Sequence, residues 1–181
     1  MGLISKLLSY TRIGDRNGAK VSDVKHDPGG GANQTGEHFQ AANEDSVPLP
    51  GDYLLTVSVQ RTGGQVVVGF IDPKQEQTAE PGEHRQYARN ADGDQVVQLH
   101  LKKDGAAELS NAEGSVVLNA DGSIVLTTPN GANTLAADGS VAFSNGASIT
   151  TAGDVLTAAG ISLDTHVHVG NLGANTSVPV P

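Results

Sequence analysis

The sequence predicts an all-β protein in which a small β domain precedes a repetitive β region whose core is shared between chains. Gly makes up 23 of the 181 residues, and aromatic residues only 3%. Glycines recur at short, shrinking intervals in the second half of the chain, and all eleven Lys and Arg lie at or before Lys103. A monomeric domain of this length normally buries more large side chains than three Phe and three Tyr supply.

Composition excludes several classes of function. The net charge of −9 argues against a nucleic-acid partner. The absence of Cys excludes disulfides, thiolate metal sites and Cys nucleophiles. No apolar run approaches the ~20 residues that a membrane-spanning helix needs.

Residues 1–16 are predicted to be an N-terminal arm. Leu3, Ile4, Leu7 and Leu8 would lie on one side of a short amphipathic helix or arm, which either docks elsewhere or packs on its own domain. The segment lacks the continuous apolar core and the cleavage site of a signal peptide, so we expect synthesis in the cytoplasm.

Residues 17–82 are predicted to form the β domain. A short strand within residues 18–28 runs into a Gly-rich loop, and a hairpin joins strands at residues 53–59 and 65–71 through a turn at Thr62–Gly64. A polar, Pro-containing linker follows. Several short strands with turn signals indicate a small sandwich or barrel, without distinguishing an OB-type barrel from other small barrels.

From residue 92 a turn dipeptide recurs, mostly Asp-Gly or Asn-Gly, with intervals between glycines of 12, 9, 8, 9, 8, 7, 7 and 7. Both residues of such pairs tolerate the positive φ of tight turns. An apolar residue follows each glycine at a fixed offset, four residues on at first and three later. These residues are Val97, Leu109, Leu118, Leu126, Leu135, Phe143, Ile149, Leu156 and Leu163.

Three architectures compete for this repeat. A coiled coil would place Gly within every heptad, where it is a poor helix former. A single-chain β-helix needs about twenty residues per turn, so this one would be thin. We favour three chains wound together, each supplying one face of a triangular prism, with the aliphatic column on the shared axis. The shrinking interval then predicts shorter strands and a narrowing prism.

His166 and His168 form a His-x-His pair just beyond the last repeat. On a strand both imidazoles would face the same way, and a threefold axis would assemble six of them, enough for octahedral Fe, Ni or Cu. Without a trimer, a surface pair is the simpler interpretation. Leu163 and His166 have opposite strand parity, so a bend between them is required. The remaining histidines are predicted to be surface or packing residues: His26, His38, His84 and His100.

Four segments resemble the central spike, or baseplate assembly protein V, of contractile-tailed phages, especially the Mu-like ones. They are Val47–Gly51 with its hairpin, Pro81–Tyr87, Val97–Gly105 and Thr165–His168 in a Gly- and Pro-rich tail. The resemblance implies a homotrimer with an OB-type collar (residues 17–82), an intertwined triple-stranded β-helix (83–163) and an apex (164–181). It implies that His166 and His168 of each chain hold one iron ion per trimer. The chain departs from the family at residues 34–46, where the expected second strand is polar.

The family's function follows as an expectation. The collar plugs the tail tube through a baseplate hub protein, and the tip pierces the host outer membrane on contraction. We therefore expect a virion protein, assembled in the host cytoplasm, that is neither an enzyme nor a binder of small-molecule substrates. The alternatives are the spike of a tailocin or type VI secretion-like system, a carbohydrate-binding or -cleaving tailspike, and a trimeric adhesin.

Overall fold

The computed structural model describes residues 2–16, 18–59 and 64–169, in which every regular element is a strand. The chain divides into two compact units. One comprises residues 1–77 with 91–94, and the other comprises residues 78–90 with 95–181. The predicted all-β class is confirmed.

The first unit is a closed five-stranded barrel. Its strands are β1 (Gly2–Arg16), β2 (Ala19–Asp27), β3 (Gln34–His38), β4 (Tyr53–Ser58) and β5 (Gln65–Ile71). They follow the order β1-β2-β3-β5-β4, and β1 pairs with β4 to close the barrel. β3 and β5 are parallel, and every other pair is antiparallel. The predicted β4–β5 hairpin is confirmed, although its turn lies largely outside the described residues. Five closed strands are consistent with an OB-type barrel.

The prediction of an amphipathic helix at residues 1–16 is wrong, because residues 2–16 form the long first strand of the barrel, whereas the alternative that this segment packs on its own domain is confirmed. Leu7 is 1% exposed and Ile4 is 66% exposed, so the two side chains lie on opposite faces, as alternation in a strand requires. Irregular pairing between Leu7 and Ser9, and between Thr11 and Gly14, bends β1 so that it pairs with both β2 and β4. Leu7 points into the barrel while Ile4 and Leu8 are exposed, so apolar residues on both faces of the strand imitated the three- and four-residue spacing of a helix.

The barrel has its own hydrophobic core. Leu7, Val24, Leu54 and Val67 are buried together, and Tyr10 and Phe70 pack against them. The polar strand β3 closes this core with its backbone. A Cβ on Gly36 would lie 3.3 Å from both Gln65 O and Val67 Cγ2, so a larger residue would push β3 away from β5.

The second unit is a nine-stranded antiparallel meander in which each strand pairs with its neighbours in sequence. The longest strand, β7, has seven residues, β8 to β11 have five each, and β12 to β14 have two each, which confirms the predicted shortening. The strands are β6 (His84–Arg89), β7 (Gln95–Leu101), β8 (Ala107–Asn111), β9 (Gly114–Leu118), β10 (Ile124–Thr128), β11 (Gly131–Leu135), β12 (Val141–Ala142), β13 (Ser148–Ile149) and β14 (Val155–Leu156).

One turn geometry recurs along this sheet. In the turn between β9 and β10, Gly122 N donates to Asn119 O (3.0 Å) and Asn119 N donates to Ser123 O (2.9 Å). Gly122 has a φ of 87°, a left-handed conformation that only Gly adopts without strain. The same pair of backbone bonds closes the turns that end at Gly105, Gly139, Gly146, Gly153 and Gly160. The repeated Gly therefore fixes the register of the meander.

Candidate functional site

The strand register collects the large aliphatic side chains on one face of the sheet. Leu99 pairs with Leu109, Leu109 with Val116, and Val116 with Leu126. Directly paired residues project from the same face, so these four form one row across the sheet. A second row runs through Leu101, Ala107, Leu118, Ile124, Leu135, Val141, Ile149 and Val155. We call the two rows the aliphatic face.

The described residues of this chain, 2–16, 18–59 and 64–169, leave the aliphatic face uncovered. Leu109 is 50% exposed and Leu126 is 47% exposed, whereas Leu54 of the barrel is 1% exposed. A contiguous apolar surface of this extent on a soluble protein marks an interaction site. Most of the predicted inward column lies on this face. Leu156 is an exception, because it pairs with Ser148 and so projects from the opposite face, and Val155 takes its place.

The opposite face is polar near the wide end of the sheet, and its groups are satisfied within the chain. His100 Nε2 lies 3.0 Å from Glu83 Oε2, and Lys102 Nζ lies 2.8 Å from Glu108 Oε2. The backbone N–H of Glu80, together with His100, holds the pKa of Glu83 below its usual value. The Lys102 ammonium lowers the pKa of Glu108 by donating a hydrogen bond to it. The two faces thus differ, because polar groups of the opposite face pair within the chain, whereas apolar side chains of the aliphatic face are exposed among the described residues.

The predicted histidine pair lies where the meander ends. Residues 163–165 form a turn, and His166 N donates to Ser162 O at 3.1 Å, so the predicted bend before His166 is confirmed. His166 Nδ1 lies 3.1 Å from the carbonyl oxygens of both Ser162 and Leu163. Carbonyls only accept, so this geometry places the ring proton on Nδ1 and leaves the lone pair on Nε2.

The imidazoles of His166 and His168 are neighbours, with ring centroids 5.1 Å apart and planes at 90°. Residues 166–168 do not form a strand, so the strand alternation that the sequence suggested does not account for the proximity of the two rings. A histidine that donates through Nδ1 to a backbone carbonyl is prepared to bind a metal through Nε2. Within residues 2–16, 18–59 and 64–169, no three His, Cys, Asp or Glu side chains are grouped to hold a metal ion. At this position the described residues of one chain offer two neighbouring imidazoles.

The histidines of the barrel are packing residues. His26 is fully buried, and its Nε2 lies 2.9 Å from Gln65 Oε1. His38 Nδ1 lies 3.0 Å from the Tyr10 hydroxyl, and the ring packs edge-on against Phe70. Burial lowers the pKa of His38. Sequence reasoning missed the Glu83–His100 pair, because 17 residues separate its members and no motif signals it.

No protein-family model matches the chain, and no curated protein matches it. None of the described segments is a helix long and apolar enough to cross a lipid bilayer. The features of the chain that bear on its function are the barrel, the aliphatic face and the histidine pair.

Proposed function

We propose that this chain is the homotrimeric central spike of a contractile phage tail baseplate. In this role it plugs the tail tube through a hub protein and pierces the host outer membrane on contraction. The observation that carries the proposal is the aliphatic face, an uncovered apolar surface on a sheet whose strands shorten from seven residues to two as it approaches a histidine pair. The resemblance of the sequence to the Mu-like spike family supplies the biological setting.

In this proposal the aliphatic face is covered by further copies of the chain. Burying a Leu or Ile side chain stabilises a fold by about 1.5–3 kcal/mol, so leaving two rows exposed forgoes a large stabilisation. Each strand from β7 to β13 already uses both edges for pairing within the chain, so copies would meet through faces rather than edges. Three meanders packed face-inward form a triangular prism, to which each chain supplies one wall.

The strands of the meander shorten toward the histidine pair, so the proposed prism would narrow in that direction. Strands of two residues span only about 7 Å, so the walls formed by β12 to β14 would be much narrower than those formed by β7 to β11. A repeated turn with fixed register lets the sheet narrow without losing its pairing. A narrowing prism with paired strands suits a part that transmits force along its axis.

In the proposed trimer, the histidine pair of each chain lies at the apex of the prism. Three copies bring together six imidazoles, each His166 presenting Nε2 while Nδ1 is held by backbone carbonyls. This donor set fits an octahedral transition-metal ion, and we propose iron, one ion per trimer. Such an ion would join three chain ends at the narrowest part of the prism.

The acidic residues of the sheet support a structural role over an enzymatic one. The Asp121 carboxylate accepts hydrogen bonds from Ser123 N and Oγ at 2.9 and 2.7 Å, and Asp138 does the same with Ser140. These bonds lower the pKa of both carboxyl groups and hold them in turns. A glycoside-cleaving tailspike needs the opposite, a carboxyl group of raised pKa facing a second one across a cleft. The puncturing spike of a tailocin or type VI secretion-like system shares the same architecture and is the second candidate.

Native mass spectrometry of the untagged protein tests the proposal. We expect a mass of three chains plus one transition-metal ion. The double variant His166→Ala/His168→Ala should remain trimeric and lose the metal, while His84→Ala, an exposed histidine of β6, should retain it. A metal-free monomer would overturn the shared core and the apex together. A trimer that keeps its metal in the double variant would overturn the apex alone.

A further inference from the structure

The outer surface of the barrel has an apolar side. Leu54 and Thr56 of β4 point into the barrel, so alternation directs Tyr53, Leu55 and Val57 outward. Ile4 of β1 pairs with Leu55, and Ile71 of β5 pairs with Tyr53. The irregular pairing between β4 and β5 leaves Val68 opposite no residue, and it is 55% exposed. We call Ile4, Tyr53, Leu55, Val57, Val68 and Ile71 the barrel patch.

The other side of the barrel surface is charged. Asp23 pairs with Glu37, and Lys25 pairs with Thr35, so β2 and β3 present a mixed polar surface to solvent. The barrel patch contains no charged residue, and Lys6 lies at its border beside Tyr53. The barrel is thus amphipathic on its outside as well as filled on its inside. None of the core contacts of the barrel requires these outward side chains to be apolar.

We infer that the barrel patch packs against the barrels of the other copies in the trimer, which gives the protein a second self-association surface. This inference depends on the proposed homotrimer. Residues 1–77 contain 7 Lys and Arg against 9 Asp and Glu, so charge repulsion between barrels is small, and the uncharged barrel patch is a surface on which copies can meet without opposing charges.

The small area of the barrel patch favours a partner that is already held close to it, such as the barrel of another copy. Six partly exposed side chains offer on the order of 500 Å² of apolar surface. That is less than the roughly 800 Å² per partner that a stable complex between freely diffusing proteins buries. Twelve residues separate β5 from β6, so three packed sheets would hold three barrels at an effective concentration in the millimolar range. A small apolar contact is sufficient for partners that are already tethered.

Thiol protection tests this inference cleanly, because the chain has no Cys. Val68→Cys places one thiol in the barrel patch, and Thr35→Cys places one on the polar side of the same barrel. In the full-length trimer, we expect the Val68→Cys thiol to react with a soluble disulfide reagent at least tenfold more slowly than the Thr35→Cys thiol. Val57→Cys is a second patch position in case Val68→Cys does not fold, and each variant's mass is checked to be trimeric.

A matched background locates the source of the protection. In a Leu126→Lys background, which should break the trimer, the Val68→Cys thiol should become as reactive as the Thr35→Cys thiol. If it stays slow there, the chain itself shields the position, and the inference is overturned. If both thiols react at one rate in an intact trimer, the barrel patch is free and the inference fails while the proposed function stands. A monomeric chain with two fast thiols would overturn the proposed function as well.

Discussion

The barrel and the meander are built from similar strands but solve the problem of a hydrophobic core in opposite ways. The barrel closes on itself, so Leu7, Val24, Leu54 and Val67 are buried by their own chain. The meander stays open, and the large side chains Leu109 and Leu126 of its aliphatic face are about half exposed to solvent. Closure makes a β domain independent, whereas an open, one-sided sheet makes its stability depend on another molecule.

A charged residue on the aliphatic face of the meander should have the largest effect, on the oligomeric state. Leu126→Lys places a charge in the middle of the aliphatic face, where three copies would have to bury it, so we expect the trimer to dissociate. Thr127→Lys, at the next residue of β10 and on the opposite face, should leave the trimer intact. Multi-angle light scattering after gel filtration measures both masses. Equal masses for the two variants would mean that the aliphatic face is not the interface.

A cavity in the barrel core should lower the stability of the barrel and leave the proposed trimer intact. Leu54→Ala empties a fully buried position, so we expect a loss of about 2–5 kcal/mol in the free energy of unfolding of the barrel. Leu55→Ala, its outward neighbour, should cost less. Urea unfolding followed by tyrosine fluorescence, together with the native mass, checks both values. A Leu54→Ala protein that unfolds like the parent would show that the barrel core does not stabilise this unit independently.

A glycine substitution sharpens the comparison at the level of the backbone. An added Cβ at Gly122 meets no atom within 4 Å, so the cost of Gly122→Ala comes from its φ of 87° alone, about 1–2 kcal/mol. Gly69 in the barrel also has open space, and its φ is not in the left-handed region. Gly69→Ala should therefore be neutral or slightly stabilising. Thermal unfolding of the two variants beside the parent tests the difference, and equal shifts would contradict it.

The smallest expected effects are changes of stability with pH, and the two units should lose stability over different pH ranges. Burial lowers the pKa of His38 in the barrel, so the unfolded chain takes up a proton first as pH falls below 6.5, and the barrel loses stability there. Glu83 and Glu108 in the sheet also have lowered pKa values, relative to 4.5. Their contribution is present above pH 4.5 and is lost as pH falls through the folded-state values.

Stability measured against pH in His38→Gln and Glu83→Gln separates these windows. His38→Gln should remove the loss that begins near pH 6.5 and leave the loss below pH 4.5. Glu83→Gln should reduce the low-pH loss and leave the other unchanged. A single common window in the parent, unaffected by either variant, would show that these groups do not set the pH dependence.

The sequence predicted the features that depend on local chemistry. Asp-Gly and Asn-Gly pairs marked turns of the meander, because these turns need a residue with positive φ at a fixed place. The shrinking intervals between the glycines predicted the shortening of the strands. The helix expected within residues 1–16 is wrong because this strand carries apolar residues on both faces, the buried Leu7 on one and the exposed Ile4 and Leu8 on the other, which together imitate helical spacing. Leu156 was misassigned because a fixed offset from Gly does not track which face a two-residue strand presents. The pairing of Glu83 with His100 required the β6–β7 register, which no local pattern carries.

The most direct test of the central claim is sedimentation equilibrium of the unmodified full-length chain across a wide concentration range. We expect one species of three times 18.5 kDa that does not dissociate on dilution, because in the proposed trimer the aliphatic face of each copy is buried by the other two. A stable species of 18.5 kDa would contradict it, since a folded monomer would have to keep the aliphatic face in water.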